Sequence, residues 1–308
     1  MPNNKVVKGG KMMKILNIGS LNYDYVYSVK HIVKPGETAS SLKMETFCGG
    51  KGLNQSVALA RAGASVYHAG FIGEDGELLL DTCKKNQIEV SHIKKIQGRS
   101  GHTIIQVDNE GQNCILLYGG SNRFLTSQYV DEVLDSFDPG DWILLQNEVN
   151  LLSYIIDRAY EKGMNIALNP SPFDEAVREC DLSKITLFLL NEIEGEQITG
   201  LSNEQEILDA MIEQYPKARI VLTLGSKGVV YRDKEKECSH GIYRVRAVDT
   251  TAAGDTFTGY FLNSLLNDLP VEEALKLSSK ASAIAVSRPG ATVSIPYRKE
   301  VEEYQFDY

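Results

Sequence analysis

The run from Ala247 to Leu266, A-V-D-T-T-A-A-G-D-T-F-T-G-Y-F-L-N-S-L-L, holds the carboxylate best placed for chemistry, Asp255. Phe257, Phe261 and Leu265 recur at i, i+4 and i+8, so the spacing predicts a helix with one apolar face. The small residues Ala252, Ala253 and Gly254 precede it, and their backbone N–H groups can come close to a ligand. A helix N-terminus carries partial positive charge and free donors, which suits a phosphate. A carboxylate beside such an anion hole can act as general base for a hydroxyl attacking phosphorus. A plainer reading stays open: Asp is a favoured N-cap residue, and Asp255 could simply start a core helix.

A second cluster lies in F-C-G-G-K-G-L-N-Q-S-V-A-L-A-R-A-G, Phe47 to Gly63. Gly49, Gly50 and Gly52 permit close backbone approach to a polar ligand, and Lys51 and Asn54 stand where they could bond it. A glycine turn serving only helix packing explains the same run. The spacing is not that of a Walker A loop, because Gly52 follows Lys51, nor is it the dinucleotide fingerprint. Asn22 and Asp24 follow a short apolar strand, Lys14 to Gly19, where they could bind sugar hydroxyls or form an Asx turn. Other polar residues recur just past predicted strand ends: Glu148, Asn169, Asn191, Glu194 and Ser226. In open α/β sheets ligands bind at that edge.

These residues need a scaffold, and the chain alternates strand and helix patterns over most of its length. Strands are predicted at Val66–Gly73, Trp142–Gln146, Asn165–Asn169, Ile185–Leu190 and Arg219–Leu224. Helices are predicted at Leu78–Asn86, Leu151–Lys162 and Val271–Val286, with another from the glycine cluster to Gly63. His102–Val107 and Cys114–Tyr118 flank D-N-E-G-Q and read as a hairpin. With the imperfect alternation of Tyr25–Val33, that hairpin predicts a small inserted sheet covering a site, a lid. Residues 1–12 read as a loose extension, and no repeat or second-domain boundary is evident.

At 308 residues and 43% hydrophobic, the chain can bury a substantial core. A net charge of −9 argues against nucleic-acid or anionic-membrane binding. Five scattered cysteines without a C-x-x-C pair suggest free thiols in a reducing cytoplasm. The five histidines lack metal-ligand spacing. No apolar run is long enough to span a membrane.

The two clusters together resemble the paired signatures of the PfkB-type, ribokinase-like sugar kinases. N-Y-D at Asn22, P-G-E-T at Pro35, A-L-N-P-S-P at Ala167, N-E-I-E at Asn191, T-L-G-S-K-G at Thr223 and A-V-S-R-P-G-A near the C-terminus follow in the family's order. The resemblance covers nearly all of the chain from Lys14. It implies an α/β/α sandwich around a Rossmann-like, mostly parallel sheet with a small β lid, in one domain. Lid strands are expected from about 23–47 and 101–120. It implies ATP-dependent phosphorylation of D-ribose at the 5-hydroxyl. Asp255 would be the base, and Ala252, Ala253 and Gly254 would supply the anion hole. Asn22, Asp24, Gly50, Lys51, Gly52, Asn54 and Glu148 would hold the sugar. Asn191 and Glu194 would organise Mg²⁺ and phosphate. Thr223, Gly225, Ser226, Gly228 and Gly254 would lie along ATP, with Ser279 near adenine. Asp249, Thr251, Ala285, Arg288, Gly290 and Ser294 match the family's potassium site, several through carbonyls. A homodimer through the lid is also implied. Two departures stand out: Ala252 replaces the commoner Gly, and Ser279 stands where some relatives place His. Another furanose or nucleoside as substrate, or a non-catalytic sensor on the same fold, are the alternatives.

Overall fold

The computed structural model describes residues 7–8 and 11–306. The expected loose extension lies largely outside the described residues. Its described part is paired rather than loose: β1 (Val7–Lys8) and β2 (Lys11–Met12) are antiparallel. In chain order there follow β3 (Ile15–Ile18), β4 (Asn22–Ser28), β5 (Lys43–Gly49), β6 (Val66–Ile72), β7 (Glu89–Lys95), β8 (Gly101–Val107) and β9 (Asn113–Tyr118). Then come β10 (Trp142–Gln146), β11 (Asn165–Asn169), β12 (Leu187–Asn191), β13 (Arg219–Thr223), β14 (Val229–Arg232) and β15 (Glu237–His240). The α-helices are α1 (Lys51–Ala62), α2 (Glu77–Lys85), α3 (Ser127–Leu134), α4 (Leu152–Glu161), α5 (Glu175–Arg178), α6 (Glu192–Thr199), α7 (Glu204–Gln214), α8 (Ala253–Leu266), α9 (Val271–Val286) and α10 (Arg298–Glu303).

The large sheet has nine strands in the order β15-β14-β13-β12-β11-β10-β3-β6-β7. Seven run parallel, and β14 and β15 close one edge antiparallel. Strand periodicity divides the core in two. Leu16, Ile18, Ile143, Leu145, Ile166, Leu168, Ile220 and Leu222 face α3, α4 and α7. Ile15, Trp142, Leu144, Ala167, Leu187, Leu189 and Val221 face α1, α2, α8 and the start of α9. Helices therefore cover both faces. Chain order runs outward from β3 in one direction and from β10 in the other, so the topological switch point lies between β3 and β10.

The second sheet is four-stranded, β5-β4-β8-β9, and interrupts the α/β alternation twice: after β3 and after β7. The strand expected at Tyr25–Val33 begins earlier and ends earlier, at Asn22–Ser28, so Asn22 and Asp24 are strand residues rather than an Asx turn. Its partner β5 falls mostly within the 23–47 stretch from which lid strands were expected on the resemblance, although its first five residues, all exposed or half-buried, bury no apolar face that would mark a strand.

Candidate functional site

Helices α1 and α8 cross beside the switch point. Their contact depends on Gly259, where a Cβ would come within 2.4 Å of the Ala58 Cβ and 2.7 Å of the Leu59 nitrogen. This closeness lets the first turns of both helices share one carboxylate. Asp255 is the third residue of α8, and Ala252 holds the N-cap position. The N-cap reading of Asp255 is therefore set aside. Its carboxylate is buried and accepts from Asn54 Nδ2 and Gln55 Nε2 of α1, each at 2.9 Å. No side chain caps α8. The Ala253 N–H reaches the Thr250 carbonyl at 3.2 Å. The small residues are thus the start of the helix rather than a turn ahead of it, and the N-terminal dipole points at the space beside Asp255.

On one side of Asp255 lie the lid strand β4 and the loop after β10. Asn22 and Asp24 are its first and third residues, and both are buried. Asn122 donates to Asn22 Oδ1 at 2.7 Å, which turns the Asn22 amide nitrogen outward as a donor. Thr103 Oγ1 donates to Asp24 Oδ1 at 2.6 Å. Burial is the main cause that pushes the Asp24 carboxyl up to about 6; the Thr103 bond opposes it, and the carboxylates of Glu148, Asp255 and Asp249 add to it. Glu148 bridges the switch point: its Oε2 accepts from the Lys51 N–H at 2.9 Å and from the Ser20 hydroxyl. Burial raises the Glu148 carboxyl, with the Lys51 ammonium as the main opposing cause. Burial alone would lower the Lys51 ammonium, but Asp255, Glu148 and Glu194 outweigh it and hold the group above its ordinary value. Gly50, φ +89°, turns the chain from β5 into α1, and Gly52 lies buried in the first turn of that helix. The Asn54 Oδ1 is a buried acceptor without a partner in the described structure, and so is open to a ligand hydroxyl.

On the other side a small cavity of about 90 Å³ is lined by Lys51, Asn169, Asn191, Glu194, Thr223, Gly254 and Asp255, among others. Asn191 and Glu194 form a capping box for α6, with Glu194 N to Asn191 Oδ1 and Asn191 N to Glu194 Oε2 both at 2.9 Å. The pair thus has a structural job, and the buried Glu194 carboxylate is held in place by it. Thr223, Gly254 and Phe257 also border a larger cavity of about 570 Å³. Gly225, Ser226, Gly228, Ser279, Ala283 and Val286 line that cavity, and its walls are mainly apolar, as a flat aromatic ligand needs.

The residues matching a cation site are brought together in part. Asp249 Oδ1 accepts from the Thr251 N–H at 2.9 Å and from its hydroxyl, and Oδ2 accepts from the Gly290 N–H at 2.9 Å. The Arg288 guanidinium is engaged by Glu300, leaving only its backbone for any such site. The Ala285 carbonyl accepts from the Arg288 N–H, and the Ser294 hydroxyl from its own loop donates to the Ala291 carbonyl at 2.8 Å. Sequence reasoning missed Gln55, Ser20, Thr103 and Asn122. Each acts on a residue at least 79 positions away, or, for Ser20, 128 away, and no local pattern signals such a pairing.

Comparison with known proteins gives the family. The model of the pfkB family carbohydrate kinases matches residues 12–298. A curated ribokinase of Haemophilus influenzae is 36% identical over 303 residues, 95% of this chain and 99% of that protein. The crystal structure of ribokinase from Thermotoga maritima superposes with a TM-score of 0.84 at 31% identity, covering 94% of this chain and 98% of that one. The structure of Arabidopsis thaliana ribokinase complexed with ribose and ATP gives a TM-score of 0.83 at 26% identity, covering 94% and 98%. With a shared carboxylate between a lid-side pocket and an apolar cleft, and a family match across nearly the whole chain, this chain belongs to the pfkB family of carbohydrate kinases.

Proposed function

We propose that this chain phosphorylates D-ribose at its 5-hydroxyl with ATP, and that Asp255 is the general base. The observation that carries the mechanism is the position of Asp255: pinned by Asn54 and Gln55, at the N-terminus of α8, between the lid-side polar pocket and the apolar cleft. The ribokinase names of the relatives support the sugar. Asn22, Asp24, Lys51, Asn54 and Glu148 orient the sugar so that one hydroxyl meets Asp255. The base takes the proton as the hydroxyl oxygen attacks the γ-phosphorus, and the bond to the β–γ bridging oxygen breaks. Charge on the transferring group is met by the Lys51 ammonium and the α8 N-terminus; positioning and neutralisation are what phosphoryl transfer requires. Adenine occupies the apolar cleft beside Ser279 and Ala283.

The residues fit both ions of the reading. Glu194 and Asn191 offer hard oxygen to Mg²⁺ through water, beside Asp255. Mg²⁺ supplies charge neutralisation on the phosphates. Asp249, which the Gly290 N–H ties to the segment after α9, and backbone carbonyls from the end of α9 to Ser294 would offer hard oxygen to K⁺. A homodimer through the lid is supported by β9, whose residues are all exposed and include Ile115, Leu116, Leu117 and Tyr118. Five free cysteines suit a reducing cytoplasm. Among the described residues no helix is long and apolar enough to cross a membrane.

A coupled ADP-release assay over ribose, deoxyribose, fructose and adenosine tests the reading. Ribose should give the highest kcat/KM. Turnover on another of these with none on ribose overturns the sugar and keeps the kinase; no turnover on any sugar or nucleoside overturns both.

A further inference from the structure

We propose that Gln55 is a positioning residue for Asp255, and that its orientation is imposed by a buried chain of side-chain amides through Gln146 and Asn17. The proposal rests on the reading of Asp255 as the base.

The bonds run without a gap. Gln55 Nε2 donates to Asp255 Oδ1 at 2.9 Å. Gln55 Oε1 accepts from Gln146 Nε2 at 2.6 Å. The same Gln146 nitrogen donates to Asn17 Oδ1 at 3.1 Å. Asn17 Nδ2 donates to the Gly52 carbonyl and to Ser56 Oγ, both at 2.7 Å. Gln55, Gln146, Asn17 and Ser56 are all wholly buried.

An amide can flip, and its oxygen and nitrogen then exchange places. Here each flip is blocked by the next member. The chain starts at a backbone carbonyl, Gly52, which can only accept, so Asn17 must present its nitrogen there. That leaves the Asn17 oxygen facing Gln146, which must answer with its nitrogen. The same nitrogen faces Gln55, which must answer with its oxygen. Gln55 is left with its nitrogen toward Asp255. Flipping Gln55 alone would set an oxygen against the Asp255 carboxylate and a nitrogen against the Gln146 nitrogen. Gln146 Oε1 has no partner in the described structure. An unpartnered buried oxygen is a cost, and it is accepted here because turning that amide would break two bonds. The chain therefore delivers a donor to the base in one orientation. The opposite oxygen of Asp255 is held by Asn54, so the carboxylate plane is set from both sides before substrate arrives.

The test uses the intact enzyme with ATP and ribose, and the variants Gln55→Met, Gln146→Met and the double variant. Gln55→Met should lower kcat about tenfold, the loss expected for a hydrogen bond to a charged group, and Gln146→Met should lower it severalfold and no further, with KM for ribose and ATP within about twofold of wild type in both. Because the two residues act in series, the double variant should be no slower than Gln55→Met alone. Losses that multiply in the double variant, or a kcat unchanged in Gln146→Met, overturn the proposal. If the methionine variants do not fold, Gln146→Glu keeps the length and polarity; the oxygen that replaces Nε2 faces both Asn17 Oδ1 and Gln55 Oε1, so it should lower kcat at least as much, and wild-type kcat in it overturns the proposal. Asp255→Asn is run beside them. Wild-type turnover in that variant overturns the base reading itself; loss there with wild-type kcat in the relay variants overturns only the relay.

Discussion

Asp24 is the residue whose replacement separates stability from function most sharply. Burial raises its carboxyl from 3.8 to about 6, against the opposing bond from Thr103. For an acid whose folded pKa lies above the unfolded one, the folded state binds the proton more tightly. Stability from this group is therefore present below pH 4 and is lost as pH rises toward 6. Two pH units at 1.36 kcal/mol each correspond to roughly 3 kcal/mol lost by pH 8. Asp24→Asn removes the charge, keeps the size and leaves an oxygen to accept from Thr103. Unligated Asp24→Asn should thus be more stable than wild type at pH 8 by about 1–3 kcal/mol, or a few degrees in Tm. The gain should fade between pH 6 and 4. The buried His68 imidazole, which burial lowers to about 4, acts in the opposite direction, losing stability as pH falls from 6.5. It is present in both proteins, so it cancels in the difference. The assay is thermal or urea unfolding of both proteins at pH 8 and pH 4.5, without ligand, and again with saturating ribose. Ribose should raise the wild-type Tm far more than that of the variant. A variant less stable than wild type at pH 8, a difference that does not change with pH, or an undiminished ribose shift would each refute the reasoning.

Asp255→Asn should lower kcat by about 10²–10⁴ while leaving ribose and ATP affinity near wild type, as read by single-turnover kinetics and calorimetric titration; retained turnover removes the base role. Gly259→Ala forces a methyl into the α1–α8 contact, and the backbone of Leu59 cannot yield cheaply. It should cost about 1–3 kcal/mol of stability by urea unfolding and lower kcat as well, since it moves Asn54 and Gln55 away from Asp255; an unchanged kcat would show that the helix spacing is not what sets the base. Leu116→Lys on the exposed strand β9 should convert a lid-paired dimer to monomer in light scattering; a wild-type monomer at micromolar concentration, or a dimer in the variant, refutes pairing through that strand.

The parallel sheet was legible because its strands are short apolar runs, and polar residues follow their C-terminal ends: Glu148, Asn169, Asn191. Asp255 and Lys51 were legible by another signal, small residues and glycines at the start of a helix. What could not be read depends on distance along the chain. Gln55 looks like one more polar residue in an Ala-rich helix until Asp255, 200 positions on, is folded against it. Strand β5 lies mostly in the 23–47 stretch where the resemblance placed lid strands; its own periodicity did not show it, because it is half in solvent and takes its partner from β4. Strands β14 and β15, at one end of the large sheet, are four residues each, too short for a period to show. Asn191 and Glu194 were read for phosphate chemistry alone, although N-x-x-E before a helix is also the spacing of a capping box.

The carboxylates of Glu148 and Asp255, with that of Glu194, act on one lysine, Lys51, and burial still leaves the Glu148 carboxyl raised; Asp24 is raised by its own burial beside Glu148 and Asp255. On the proposed reading a sugar would add donors to these buried carboxyls as hydroxyl protons, and several at once, because a furanose presents its hydroxyls around a small ring. An apolar ligand of the same size would add no donor to their remaining acceptor sites while excluding water from them, which costs free energy. On that reading, selectivity for a polyol over an apolar molecule would follow from the buried carboxyls. One glycine serves the same pocket sterically. A Cβ at Gly49 would lie 2.0 Å from Asp24 Oδ2, so any side chain there would displace the carboxylate that a hydroxyl is to meet.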